Sequence, residues 1–126
     1  MSSLDDFGID DQYIELAAEI FGLLADPTRI RIILALRDAE LSVNHLADIA
    51  DAAPAAVSQH LAKLRWSKIV RARKEGNRVF YSLVDEHARR LVADAVFQAE
   101  HALDEQPAHH GRVGGTPDTR RPDLEP

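Results

Sequence analysis

Three residues, Asp51-Ala52-Ala53, separate two apolar-periodic segments, and this short turn constrains the chain more than any other feature. Ser42 is a good N-cap for a helix over Val43–Ala50, with Leu46 and Ile49 facing inward. Pro54 opens a second helix whose buried ridge is Val57, Leu61 and Leu64. With so little chain between them, the two helices cross steeply and the first braces the second. After Trp66 the period changes from 3.6 to 2. Ile69–Lys74 and Arg78–Val84 read as strands joined by Glu75-Gly76-Asn77, where Gly76 and Asn77 can take positive φ. Two helices, a tight turn and a hairpin predict a winged helix-turn-helix.

The flanking segments complete a mainly helical α+β domain in the order α-α-α-α-β-β-α. Ile14, Ala17, Ala18, Phe21 and Leu24 give a helix from about Asp10 to Ala25 one apolar face. Asp26-Pro27 caps and starts the next helix, which runs to Arg37 with Ile30, Ile33, Leu34 and Leu36 apolar. Asp85 is the expected N-cap of a last helix ending near Glu105. Residues 10–105 form the domain, with a flexible acidic N-terminus at 1–9 and a flexible Pro- and Gly-rich tail at 106–126. A length of 126 residues fits one domain. No apolar run is long enough to span a bilayer and the start lacks a signal peptide's pattern, so no membrane partner and a cytoplasmic location are expected. The absence of cysteine excludes disulfides, thiolate metal sites and thiol nucleophiles.

The formal net charge of −6 is unevenly spread. Residues 1–28 carry seven acids and no Lys or Arg, whereas residues 54–78 carry a local charge of +6. A local basic stripe is the footprint that matters for phosphate. On the second helix of the pair, Ala55, Ser58, Gln59 and His60 stand where base edges would be read: Ser and Gln can bond bases and Ala permits close approach. Lys63, Arg65 and Lys68 suit phosphate. In the hairpin, Arg71, Arg73, Lys74, Asn77 and Arg78 are candidates for flanking phosphate or the minor groove. Double-stranded operator DNA is the expected partner.

Three stretches carry a specific resemblance. Leu24-Ala25-Asp26-Pro27-Thr28-Arg29-Ile30, then Leu46-Ala47 with Val57-Ser58-Gln59-His60-Leu61-Ala62-Lys63-Leu64-Arg65, then Arg78-Val79-Phe80-Tyr81-Ser82-Leu83, resemble the ArsR/SmtB family of winged-helix repressors across residues 12–103. The resemblance implies a homodimer built on the first and last helices, which leaves operator DNA when a metal or another effector binds.

Six histidines are available as ligands. His45 and His60 fall in the helix pair and read as structural or DNA-contacting. His87, Glu100, His101, His109 and His110 gather in the last helix and the tail. His87 and His101 share a helical face within about 40°, but fourteen residues separate them by about 21 Å along the axis. Metal–nitrogen bonds are about 2 Å, so one straight helix cannot bring both to one ion. An antiparallel partner helix can, with symmetric sites across a twofold axis. The family's zinc sensors pair an Asp and a His two apart with two His three apart. Asp85, His87 and His101 match, which makes Asp85 an additional candidate, but Gln98 replaces the fourth. The set resembles instead the family's nickel/cobalt-sensing branch. Five nitrogen or oxygen ligands suit Ni(II) or Co(II), with Zn(II) the alternative and no organic cofactor.

A repressor with a non-metal effector or none, and a winged-helix protein-interaction module, remain alternative functions. An enzyme is not expected: the chain has no nucleophile–base pair, phosphate loop or HExxH helix.

Overall fold

The computed structural model describes residues 8–105. Its elements are α1 (Asp11–Leu24), α2 (Pro27–Ala35), β1 (Leu41–Ser42), α3 (Val43–Ala50), α4 (Pro54–Trp66), β2 (Val70–Glu75), β3 (Arg78–Leu83) and α5 (His87–Asp104). The chain divides into two compact units at Val92/Ala93, so the first turns of α5 belong with the winged-helix body. No described helix is long and apolar enough to cross a membrane. The flexible ends expected at 1–9 and 106–126 lie, but for residues 8 and 9, outside the described residues.

Helix boundaries follow the capping chemistry. The side chain of Asp26 accepts from Arg29 N at 3.0 Å while Pro27 takes the first helical position, where a missing N–H costs nothing. Ser42 caps α3 by accepting from His45 N at 3.3 Å. α2 ends at Ala35, two residues short of Arg37, because Leu36 leaves helical geometry at ψ 1°. Asp85, the expected cap, sits one position before the residue that takes that place, Glu86. The Asp85 carboxylate accepts from His87 N at 2.9 Å, but the carbonyl of Glu86 receives the first helical bond, from Arg90 N.

β1 is an element the residue pattern does not announce. It is two residues long, yet Leu41 pairs with Tyr81 and Ser42 with Phe80, giving an antiparallel sheet in the order β1-β3-β2. In the hairpin only Gly76 takes positive φ, at 61°; Asn77 does not, the pattern of a type II′ turn.

The core is the meeting of α2, α3, α4 and β2: Ile32, Ile33, Leu46, Val57, Leu61, Leu64 and Val70 are almost fully buried. Ile49 is not among them. At 56% exposure it falls about 100° from the centre of the face formed by Leu46, Ala47 and Ala50. On α1 only Leu24 is buried, while Ile14, Ala17, Ala18 and Phe21 of the expected apolar face are open to solvent. Its apolar stripe is real, but the other described elements of the winged-helix body do not cover it.

Both helices of the central pair end in a Schellman motif without glycine. Ala52 N reaches Ala47 O at 3.0 Å with Asp51 left-handed (φ 53°), and Ile69 N reaches Leu64 O at 2.9 Å with Lys68 left-handed (φ 63°). Left-handed backbone costs an L-residue about 1–2 kcal/mol, whereas glycine loses about 0.5–1 kcal/mol of extra chain entropy. Lys68→Gly is therefore expected to raise unfolding stability by about 0.5 kcal/mol, seen as a higher Tm. A lowered Tm would show that the lysine stem contributes packing that outweighs the strain.

Candidate nucleic-acid interface and metal ligands

At 100° per residue, Ala55, Gln59, Ala62 and Trp66 form the stripe of α4 opposite the buried ridge of Val57, Leu61 and Leu64. Ser58 and Arg65 lie on the flank beside that stripe, and all six of these residues are exposed. Ser58, Ala62, Arg65 and Trp66, with Lys68 and Tyr81 of β3, line an open groove of about 540 Å³ between helix and hairpin. Lys63, Arg65, Lys68, Arg71, Lys74 and Arg78 are exposed and have no ion pair among the described residues. Arg71 donates to Val84 O at 2.7 Å, which steadies its stem without neutralising it. Asn77 is exposed at the hairpin tip.

Two of the candidate contacts are otherwise engaged. The His60 ring is half-buried on the flank of α4 toward α2: its Nδ1 accepts from Arg29 Nε at 3.0 Å, and Nε2 lies 3.8 Å from Asp26. The same guanidinium donates from a terminal nitrogen to Leu23 O at 2.9 Å. Arg29 thus joins the end of α1 to α4. Asp26 is held below the usual carboxylate range, chiefly by the Arg29 backbone N–H, with the nearby Arg29 charge adding to it against a desolvation penalty.

Arg73 is the second. Its guanidinium grips both oxygens of Glu40, at 3.0 and 3.1 Å from Nε, and reaches Glu75 at 2.6 Å. Hydrogen bonds to Glu40 and then Glu75 push its pKa up, and Arg73 in turn holds Glu40 below the usual range. The guanidiniums of Arg73 and Arg78 lie 5.1 and 5.2 Å from the Phe80 ring centroid. A charge already matched by two carboxylates has little left for phosphate. Glu40 lies outside the basic stretch, 33 residues away, and no local pattern marks it.

The candidate metal ligands are less assembled. His87 is exposed at the start of α5, beside Asp85. Near the other end, His101 Nε2 is 2.7 Å from Glu105 and its ring packs against Phe97 at 6.3 Å, with Glu100 exposed alongside. Among the described residues no three His, Asp or Glu side chains come close enough together to hold an ion. His109 and His110 lie outside the described residues.

Comparison with known proteins adds identity to this geometry. A model of the family "Bacterial regulatory protein, arsR family" matches residues 26–72, spanning α2 to the first strand of the hairpin. The HTH-type transcriptional regulator KmtR of Mycobacterium tuberculosis is 48% identical over 107 residues, 85% of this chain and 82% of that protein. A homologue of the cadmium resistance regulatory protein CadC from Staphylococcus aureus is 42% identical over 79 residues, 62% of this chain and 65% of the relative. Among solved structures, the homodimeric winged helix-turn-helix DNA-binding domain of a possible ArsR-family regulator from Mycobacterium bovis superposes with a TM-score of 0.67 at 25% identity. It covers 83% of this chain and 93% of that one.

Proposed function

The chain belongs to the ArsR family of bacterial regulatory proteins, DNA-binding regulators rather than enzymes, and from that premise we propose that it is a metal-responsive transcriptional repressor acting as a homodimer in the cytoplasm. The observation that carries this is the surface of α4, where Gln59 and Ser58 stand exposed amid Lys63, Arg65 and Lys68, none of them ion-paired among the described residues. Gln59 and Ser58 read base edges, Ala55 lets the backbone approach, and the lysines and arginines hold phosphate. Lys74, Asn77, Arg78 and Arg71 of the hairpin touch the flanking backbone. His60 and Arg73 support the frame instead: one anchors α4 to α2, the other ties the wing to the segment before β1.

The uncovered apolar residues support dimerisation. Tyr13, Leu16, Ile20 and Phe21 are exposed on α1, and Val96 and Phe97 on α5. A second copy offers the same faces and closes both by twofold symmetry. That pairing also supplies what one chain lacks, with His87 meeting Glu100 and His101 of the partner subunit. Asp85 and the tail's His109 and His110 add ligands, and Ni(II) or Co(II) suits such a set better than Zn(II). The bound ion fixes the two last helices together and weakens operator binding through a coupling of about 1–3 kcal/mol.

The test is a mixed dimer. His87→Ala and His101→Ala homodimers are each expected to bind operator but to lose metal-driven release. Combined in one dimer they place both lesions in one site and leave the other intact, so Ni(II) titration regains about one tight site. Recovery of none removes the shared site. Wild-type protein that binds operator identically with and without Ni(II), Co(II) and Zn(II) is a repressor with another effector or none. Loss of salt-dependent DNA binding altogether leaves the interaction module.

A further inference from the structure

Trp66 is the largest exposed apolar side chain of the winged-helix body and has no role in the reading above. It is 89% exposed at the last position of α4. A tryptophan so placed on a monomer's surface is uncommon, and tryptophan is enriched where a surface is later covered. Its position is defined by the helix. Seven residues separate it from Gln59, which at 100° each puts the two within about 20° on one line, with Trp66 about 10 Å further along the axis.

That distance is informative. The major groove is about 12 Å wide, so when Gln59 reaches base edges on its floor, a side chain about 10 Å along the same line meets the groove wall. The wall is sugar and phosphate. Ala62, between the two, is small enough to let the strand pass. The groove beside Trp66 is lined by Arg65, Lys68, Ser58 and Tyr81 with no acid among its lining residues, and both cations lack ion-pair partners among the described residues. Its charge and its two-sided shape fit an anionic strand.

We propose that Trp66 closes over the sugar–phosphate backbone of the operator at the edge of the major groove. The apolar face of the indole covers a deoxyribose, its N–H, which has no partner among the described residues, donates to phosphate oxygen, and Arg65 and Lys68 hold the adjoining phosphates. This rests on the repressor reading and adds to it a non-ionic clamp at the end of the reading helix.

The chain contains one tryptophan, so its fluorescence reports this site alone. The probe is a duplex selected from a randomised library by the protein itself, with binding read independently by anisotropy of a label on the DNA. Saturating duplex is expected to shift Trp66 emission and to cut its quenching by acrylamide severalfold. Trp66→Ala is expected to weaken binding about tenfold with an unchanged salt slope, because no counterion-releasing contact is lost, while Arg65→Ala flattens the slope by about one. Trp66→Phe should recover part of the loss.

Duplex binding with Trp66 as accessible to acrylamide as in free protein overturns the clamp alone. Protection that grows with protein concentration in the absence of DNA overturns it too, assigning the face to a second copy. If wild-type protein selects and binds no duplex, the repressor reading falls first and the clamp with it.

Discussion

Arg29→Ala is expected to unfold at a clearly lower denaturant concentration than wild type, by about 2–3 kcal/mol, and to bind operator at least about tenfold more weakly where both proteins are folded. The guanidinium makes two side-chain bonds, to His60 Nδ1 and to Leu23 O, and both are part-buried. Bonds to a charged group contribute about 1.5–3 kcal/mol each; partial exposure lets water replace some of that, which sets the lower total. The midpoint should move without a change in m, since the native state stays compact. Arg29→Lys keeps the charge but not the planar fork, so it should recover less than half. The DNA effect has a separate origin. His60 is the point at which α4 is held to α2, and without Arg29 the pitch of the reading helix is no longer fixed from that side. An unchanged midpoint would show the bracket to be energetically neutral, and unchanged operator affinity at reduced stability would confine it to folding.

Phe21→Asp should have the opposite profile. Phe21 is 59% exposed in one chain, so in a monomer the change is a surface substitution, worth within about 0.5 kcal/mol. In the proposed dimer it puts a carboxylate into an apolar seam, a cost of several kcal/mol, or on the order of a thousandfold in the dimer dissociation constant. Sedimentation equilibrium is expected to show a mass falling from twice the chain mass to that of one chain while circular dichroism keeps the helical signal. Operator affinity should fall with it, because one half-site is then bound without its neighbour. A dimer that survives Phe21→Asp would place the seam elsewhere.

These two residues also mark where the sequence stops being informative. Local chemistry was legible. Asp26 and Ser42 as caps, Pro27 and Pro54 as first helical residues, and the ridge Val57, Leu61, Leu64 all rest on interactions within a turn or two of chain, and the structure has each of them. The apolar stripe of α1, Phe21 included, was legible as a stripe, but periodicity identifies positions and not the surface that covers them. β1 escaped because two residues are too few to show an alternation; it exists only because β3 offers it a partner. Ile49 shows the coarseness of periodicity on an eight-residue helix, where one apolar residue off the face looks much like one on it. The polar partnerships escaped for another reason. Arg73 and Glu40 meet across 33 residues and Arg29 and His60 across 31, and a charge count cannot say which charges are already matched.

The smallest strand has the widest consequence. Ser42 pairs with Phe80 at the middle of the sheet and, through its side chain, starts the helix that braces α4. Hairpin and reading helix are therefore riveted at one residue, with Arg73 and Glu40 as a second fastening nearby. A body fastened in this way cannot change how far its wing lies from its reading helix. What remains adjustable is the span between two such bodies on the same duplex, which DNA measures in helical repeats of about 34 Å. In the proposed dimer a governing ligand acts on that span, so the same protein should abandon an operator whose half-sites are moved apart by half a turn, with no metal present at all.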